Sequence, residues 1–428
     1  MIKPKGGEDL AVAEIQGLYG PFSFPEKLLQ QIWLRGDFDS KRAVTTDGRW
    51  VQVIFPGRWN LLGGPDFKDA RVSIGGVAVR GDIEVHLRAA DWVAHRHSSD
   101  PAYANVVLHV ILFPTDERAT SGVEGRGIPV LVLLPLLNHD LEEYAADEAI
   151  ERLADHPLVQ ARRELIALSA EQLSVVLLRF AEARWRQKVY FAKLRIARLG
   201  WESACHHTAL EILGYRFNRA AMLAVAGALP FVDWVTAAEG VAEDAYAKFT
   251  DRWSKQGVRP ASHPLSRLRQ YVRWMAARPH WPERLAGFAE GLPAAEWSEA
   301  MLTARFRRKY SMGKLAGRLA DSVLGGEVGG TRFNTLVGDG LLPLLAAKTN
   351  GEKRLSSFWY SWAAGDLPAR YSKLLRELGV VDKRQRPMCH GVAQGLIGWM
   401  LDADKRHEAH LQSTGGAGLD NASGQKVF

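Results

Sequence analysis

The stretch Gly81-Asp82-Ile83-Glu84-Val85-His86-Leu87-Arg88 constrains the fold more than any other part of the chain. Alternation at period two is a strand signature. The Gly75-Gly76 pair ahead of it is the tight turn that pairs this strand, Val77 to Arg88, with the preceding run Ala70 to Ile74. Asp82, Glu84, His86 and Arg88 then share one face, while Ile83, Val85 and Leu87 share the other. One face is wholly ionisable and its opposite wholly apolar, so the apolar side must lie on a core. For the ionisable side there are two readings: a solvated strand with ion pairs such as Glu84–Arg88, or a site.

The neighbouring segments complete a small α/β pattern. Ser23 is a candidate cap for an amphipathic helix over Glu26 to Trp33, with Pro25 at its first turn. Asp47-Gly48 is a turn, and Trp50 to Phe55 reads as a strand. A Gly/Pro loop runs from Pro56 to Pro65. Ala89 to Tyr103 is polar, a helix or irregular turn. Val106 to Phe113 is a continuous apolar run, as in a buried strand, and Pro129 to Leu134 is a further strand expected at the edge.

From about residue 140 the apolar period becomes helical and stays so, through Leu141–Leu153, Leu158–Leu168, Ala170–Leu199, Ser203–Leu213 and Arg219–Ala228, with breaks at Gly200, Gly214, Pro230, Pro260 and Pro264. The division expected is an α/β or α+β mixed-sheet domain over 1–140, an all-helical domain over 141–412, and a Gly/Ser/Asn-rich disordered tail over 413–428. No run is long and apolar enough to span a membrane, and no apolar stretch comes after the N-terminal lysines, so no secretory leader is expected. Two cysteines, Cys205 and Cys389, suit a reducing cytoplasm and read as structural.

The net charge of +7 leans toward polyanionic partners. Residues 1–135 are close to neutral, so the excess lies further on. It is concentrated in Arg162, Arg163, Arg179, Arg184, Arg186, Lys188, Lys193, Arg195 and Arg198. Such a run is ordinarily a solvated helix face. Set on the domain without the candidate chemistry, it also suits a phosphate backbone, with Arg184, Lys188 and Arg195 as the nucleic-acid contacts.

The chemistry centres on Asp66, Glu84 and His86. Asp66 comes after Gly63-Gly64-Pro65 at the start of the partner strand, so hairpin geometry brings its carboxylate beside Glu84. Two close carboxylates repel, and Mg²⁺ or Mn²⁺ between them would relieve the repulsion and neutralise a phosphoryl group. His86 would position or deprotonate a water. The segment Asp91-Trp92-x-x-His95-x-His97-x-x-Asp100-x-x-Tyr103 adds His95, His97 and Tyr103 as a supporting or phosphate-donating shell, or as part of a separate zinc or iron site with His86 or His109. His109, in an apolar strand, reads as a core histidine. In Pro56-Gly57-Arg58-Trp59-Asn60, Arg58 would clamp a phosphate. Trp59 would either stack on a base or pin the loop. Arg305-Phe306-Arg307-Arg308-Lys309 is a further basic patch.

Pro65-Asp66 and then Glu84-x-His86, in an order helix–strand–strand–strand–helix–strand over roughly residues 22–115, resembles the PD-(D/E)xK nuclease superfamily with its restriction-endonuclease-like fold. That resemblance implies Asp66 and Glu84 as metal ligands, a ligating carbonyl from Val85, Glu26 as a further acid on the first helix, and His86 where lysine is usual. Nearly the whole chain also resembles an uncharacterised bacterial family, domain of unknown function 2851, through Glu26-x-x-Leu-Gln-x-Ile-Trp33, Pro56-Gly-Arg-Trp-Asn60, Gly64-Pro-Asp-Phe67, Gly81-Asp-Ile-Glu-Val-His86, Asp91-Trp-x-x-His-x-His97, Leu108-His-Val110, Leu213-Gly-Tyr-Arg-Phe-Asn218, Val258-Arg-Pro-x-x-His-Pro264 and Leu341-Leu-Pro-Leu-Leu345.

These residues support three functional expectations. The first is a Mg²⁺- or Mn²⁺-dependent nuclease acting on DNA or RNA. The second is a nuclease-fold nucleic-acid-binding protein that does not cut. The third is a metalloenzyme using His86, His95 and His97 on a small substrate.

Overall fold

A computed structural model describes residues 12–17, 20–60, 63–145, 147–148, 158–236, 240–254, 260–293, 295, 303–380 and 388–415. Residues 1–145 with 206–276 form one compact unit, and 146–205 with 277–428 form a second. The helical segments from residue 206 to 276 therefore group with the sheet and not with the rest of the helices.

The first unit opens with an antiparallel pair, β1 (Val12–Gly17) and β2 (Gly20–Pro25), running into helix α1 (Glu26–Arg35). Pro25 occupies the N-cap of α1, without a side-chain cap, and Ser23 lies within β2, so the expected serine cap is not made. The missing N–H of proline is one that a first turn leaves unpaired in any case. Gly36 closes the helix at φ 62°, where a side chain would be strained.

Next comes a seven-stranded mixed sheet, built from β3 (Val51–Phe55), β4 (Arg58–Trp59), β5 (Phe67–Ile74), β6 (Val77–His86), β7 (Val106–Ile111), β8 (Ala119–Ser121) and β9 (Gly127–Val132). Its order is β3-β5-β6-β7-β9-β8, with β4 beside β5. The hairpin β5–β6 has the register Ile74↔Val77 across the Gly75-Gly76 turn, as the alternation predicts. β6–β7 and β7–β9 are parallel. β9, expected at the edge, lies inside the sheet because β8 pairs on its far side.

The parallel centre of the sheet is covered on both faces, as parallel strands require. On one face Ile83, Val85, Leu87, Leu108 and Val110 are fully buried in a core shared with Leu29, Ile32 and Trp33 of α1. Each such side chain contributes roughly 1.5–3 kcal/mol by leaving water. The opposite face is covered by the segment from 91 to 103, a short helix α2 (Asp91–Ala94) and two 3-10 turns, whose Trp92 and Tyr103 pack with Val106 and Ile128. The ionisable side of β6 is therefore buried beneath this cover: Asp82, Glu84 and His86 are 5%, 4% and 1% exposed, and only Arg88 reaches solvent. That disposes of the solvated-strand reading.

The second unit is helical among its described residues. Its thirty-residue helix Ala170–Leu199 starts with a reciprocal Ser169–Gln172 capping box and packs against the helix His390–Gly415. Gly395 permits the close approach, since a methyl group there would overlap the Leu177 backbone. The helix from His390 runs to Gly415, and the rest of the expected tail lies outside the described residues. No helix of the described residues is long and apolar enough to cross a membrane. Both cysteines are buried, and burial pushes their thiols up, which leaves them un-ionised and inert.

Candidate functional site

The site begins with the loop that delivers Asp66. Asn60 ties it shut: its side-chain amide donates to the Gly63 and Pro65 carbonyls at 3.2 and 2.9 Å, and its backbone N–H donates to the Asp66 carbonyl at 2.6 Å. Trp59 stacks on Phe67 at a ring separation of 6.4 Å and donates to Gln30 of α1 at 3.2 Å. It therefore pins the loop and is not presented to a base. Arg58 is exposed and ion-paired with Asp69. Gly57 takes φ 100° against Phe67, where a Cβ would lie 2.8 Å from the phenylalanine Cβ.

Asp66 and Glu84 are brought together through the backbone. The Asp66 N–H donates to Glu84 Oε2 at 2.9 Å, and the Val85 N–H donates to Asp66 Oδ2 at 3.2 Å. Both carboxylates are 4% exposed. Desolvating a carboxylate costs several kcal/mol unless donors compensate, and these backbone donors do part of that. Asp82, on the same strand face, is engaged separately: it pairs with Lys68 at 3.0 Å and accepts the Asp69 N–H at 3.1 Å. Glu26 is buried at the first turn of α1.

The other Glu84 oxygen, Oε1, faces imidazoles. It lies 3.5 Å from His86 Nε2 and 3.3 Å from His97 Nε2. His95 Nδ1 sits 3.2 Å from His86 Nε2. One ligand atom from each of His86, His95 and His97 falls within 4.8 Å of the others. His86 and His97 are buried and His95 is exposed, so the cluster has a solvent-facing side. His97 stacks on Tyr103 with ring centroids 3.8 Å apart, which fixes its plane. Trp92, donating to Ser98 Oγ at 3.0 Å and the Ser121 carbonyl at 3.1 Å, packs edge-on to His86 and His97.

Behind His86 lies a second imidazole. His86 Nδ1 is 2.9 Å from His109 Nε2, and His109 Nδ1 is 2.7 Å from Thr120 Oγ1 on β8. His109 and Thr120 are both buried. Burial, with a smaller contribution from His97, pushes the His109 pKa down to about 3, so it is neutral at pH 7. His109 is thus a core histidine, as expected from its apolar strand, and also the direct neighbour of the site. Thr120 carries no motif. Its only sequence signal is a polar residue on the inward side of a three-residue edge strand.

The basic residues of the second unit are differently engaged. Arg184 is 8% exposed and donates to Gln187 at 2.7 Å and Gln394 at 3.4 Å. Lys188 pairs with Asp339 at 2.7 Å. Arg195 is half-buried. In the basic patch near 305, Arg307 turns inward onto the Ser361 and Trp362 carbonyls at 2.7 and 3.0 Å. Arg184 and Lys188 therefore serve the interior of their own unit and are not held out toward a phosphate backbone.

Fold and site together define a protein whose mixed sheet buries a carboxylate pair against a histidine cluster, joined in the chain to a mainly helical region. The family model described as "Protein of unknown function (DUF2851)" matches residues 26–243, half of the chain and all of this site, and the chain belongs to that family. No curated protein and no solved structure matches it.

Proposed function

We propose that Glu84, His86, His95 and His97 hold a metal ion in a hydrolytic centre that acts on phosphodiesters. The observation that carries this reading is the convergence of three imidazoles within 4.8 Å of one another, two of them beside one buried carboxylate oxygen of Glu84. The donor set fits a cation chemically: imidazole nitrogens suit zinc or iron better than Mg²⁺ or Mn²⁺, which prefer oxygen ligands. That favours zinc or iron over the Mg²⁺ or Mn²⁺ expected from the carboxylates alone. Such an ion, when bound, supplies Lewis-acid polarisation of a phosphoryl oxygen and a more acidic water.

The chain's own residues do the rest. Asp66 and Glu84, each fixed by a backbone N–H, present preorganised negative charge without reorganisation. His95, on the solvent side, would complete the ligand set at the face from which substrate must approach. Tyr103 and Trp92 hold the His97 and His86 rings and exclude water from behind. Phosphodiester chemistry is supported by the resemblance of Pro65-Asp66 and Glu84-x-His86 to PD-(D/E)xK nucleases, with the acids on an antiparallel hairpin and a parallel strand beside it. A second reading, a metalloenzyme on a small substrate, is favoured by the inward engagement of Arg184 and Lys188, which leaves a polynucleotide less to hold it.

Elemental analysis of protein purified without chelator, joined to cleavage assays on single- and double-stranded DNA and RNA with Zn²⁺, Mn²⁺ and Mg²⁺, tests the proposal. The expected result is one transition-metal ion per chain, lost in His95→Ala, and cleavage lost in Glu84→Gln. Metal without cleavage moves the assignment to the small-substrate reading. Absence of bound metal together with absence of any divalent-ion effect on thermal unfolding removes the centre.

A further inference from the structure

The three residues His86, His109 and Thr120 form a directional chain of polar contacts, and its direction is fixed if the proposed metal centre is correct, so the inference rests on that reading. A neutral imidazole carries one N–H and one lone pair, so a line of ring nitrogens can be filled in only two ways. His86 Nε2 points at Glu84, His95 and the site; its Nδ1 points away, 2.9 Å from His109 Nε2. For Nε2 to offer a lone pair to a cation, the proton must sit on Nδ1. His109 must then accept at Nε2, carry its own proton on Nδ1, and donate it to Thr120 Oγ1 at 2.7 Å.

We propose that His109 and Thr120 are positioning residues that select the metal-binding tautomer of His86. Imidazole ligands commonly donate their second N–H to a carboxylate, carbonyl or water. Here that acceptor is a second histidine, itself oriented by a threonine hydroxyl. The arrangement has a physical logic. A carboxylate behind His86 would draw its proton and add a further negative charge to a pocket already holding Asp66 and Glu84. A buried neutral imidazole accepts the hydrogen bond without adding charge. The parallel pairing of β6 with β7 sets Glu84 opposite His109, and β9 carries β8 and Thr120 into reach, so the relay is a product of strand order. In an apolar strand without a neighbouring histidine to orient, the same two residues would have nothing to relay.

The test uses the full chain and Zn²⁺ or Co²⁺ as the probe. Competition titration gives the affinity of wild type, Thr120→Val, Thr120→Ser, His109→Gln and His109→Phe. The expected result is a loss of affinity of roughly ten- to hundred-fold in Thr120→Val and His109→Phe. Thr120→Ser restores binding because the hydroxyl returns, and His109→Gln restores part of it because the amide both accepts and donates. Long-range ¹H–¹⁵N correlation on the wild-type zinc form reads the tautomer directly and does not depend on any variant folding: His86 protonated at Nδ1, and His109 protonated at Nδ1 with an unprotonated Nε2. Wild-type affinity retained in Thr120→Val and His109→Phe, or a proton on His109 Nε2, overturns the relay while leaving the centre in place. Failure of wild type to bind either ion overturns the centre itself, and the relay with it.

Discussion

The peptide N–H of Asp66 donates to the carboxylate of Glu84 at 2.9 Å, and the N–H of the next residue along β6, Val85, returns the bond to Asp66 at 3.2 Å. Two buried acids are thus cross-linked through the backbone N–H groups of Asp66 and Val85. The hairpin imposes the exchange, since Phe67 is paired opposite Ile83. Each carboxylate receives a donor that favours its charged form, which partly offsets the repulsion of two acids in one pocket. The remaining Glu84 oxygen is left facing the imidazoles.

Replacing Glu84 by Gln separates charge from scaffold. The amide oxygen still accepts from the Asp66 N–H, so the loop stays in place, but the negative oxygen beside His86 and His97 is gone. The expectation is a fall of more than about 100-fold in metal affinity, with the urea midpoint little changed. Metal titration and equilibrium unfolding on the same preparation check it. A large loss of stability with retained metal affinity would invert the assignment.

Much of this was legible in the chain itself. Alternation over Asp82 to Arg88 and the Gly75-Gly76 turn specify a hairpin whose register then brings Asp66 to Glu84, and both features are local. Three other features are not local. His109 reads as a core residue until β7 is known to lie beside β6. Thr120 has no signal of its own, because its neighbourhood depends on β9 pairing on both sides. Arg184 and Lys188 belong to a basic run that looks like a solvated face, and only Asp339 and Gln394, both distant in the chain, show that these charges are turned inward. Helical periodicity says which residues share a face but not what that face meets.

Gly81 stands immediately before the site strand's acids, and its side-chain position is filled by a neighbour. A methyl group there would lie 2.6 Å from the Asn105 carbonyl oxygen and overlap Val107. Backbone cannot yield as a flexible side chain can, so Gly81→Ala should destabilise by about 1–3 kcal/mol through overpacking at the β6–β7 junction. Chemical denaturation measures this directly. Because Asp82 N–H donates to the same Asn105 carbonyl, a shift there should also appear in amide exchange at Asp82.

Trp59 offers a test of whether the Gly/Pro loop is structural or ligand-facing. In Trp59→Phe the ring stack on Phe67 is kept and the bond to Gln30 lost, at a net cost of about 1 kcal/mol. Nucleic-acid affinity, if the protein has any, should be unaffected. A variant as stable as wild type but impaired in binding would show instead that the indole contacts ligand.

Acid stability provides the last prediction. His206 in the first unit is fully buried, with its ring nitrogens 2.8 Å from the Tyr271 hydroxyl and 3.0 Å from the Leu229 carbonyl. His390 in the second is 2% exposed against Trp359. Burial, the largest cause in each, pushes both pKa values down from 6.5 to about 4; backbone hydrogen bonds at His206 and the Asp339 charge at His390 oppose it in part. The unfolded chain therefore binds protons that the folded chain refuses. Folding stability contributed by these groups is complete above pH 6.5, falls as the pH drops from 6.5 toward 4, and levels off below. At about pH 5 each histidine should have cost roughly 2 kcal/mol relative to about pH 7. Urea midpoints at the two pH values check the slope, and His390→Gln should flatten it for the helical unit while leaving His206's share in the sheet unit. A pH-independent midpoint over this range would show that neither ring is desolvated as its burial demands.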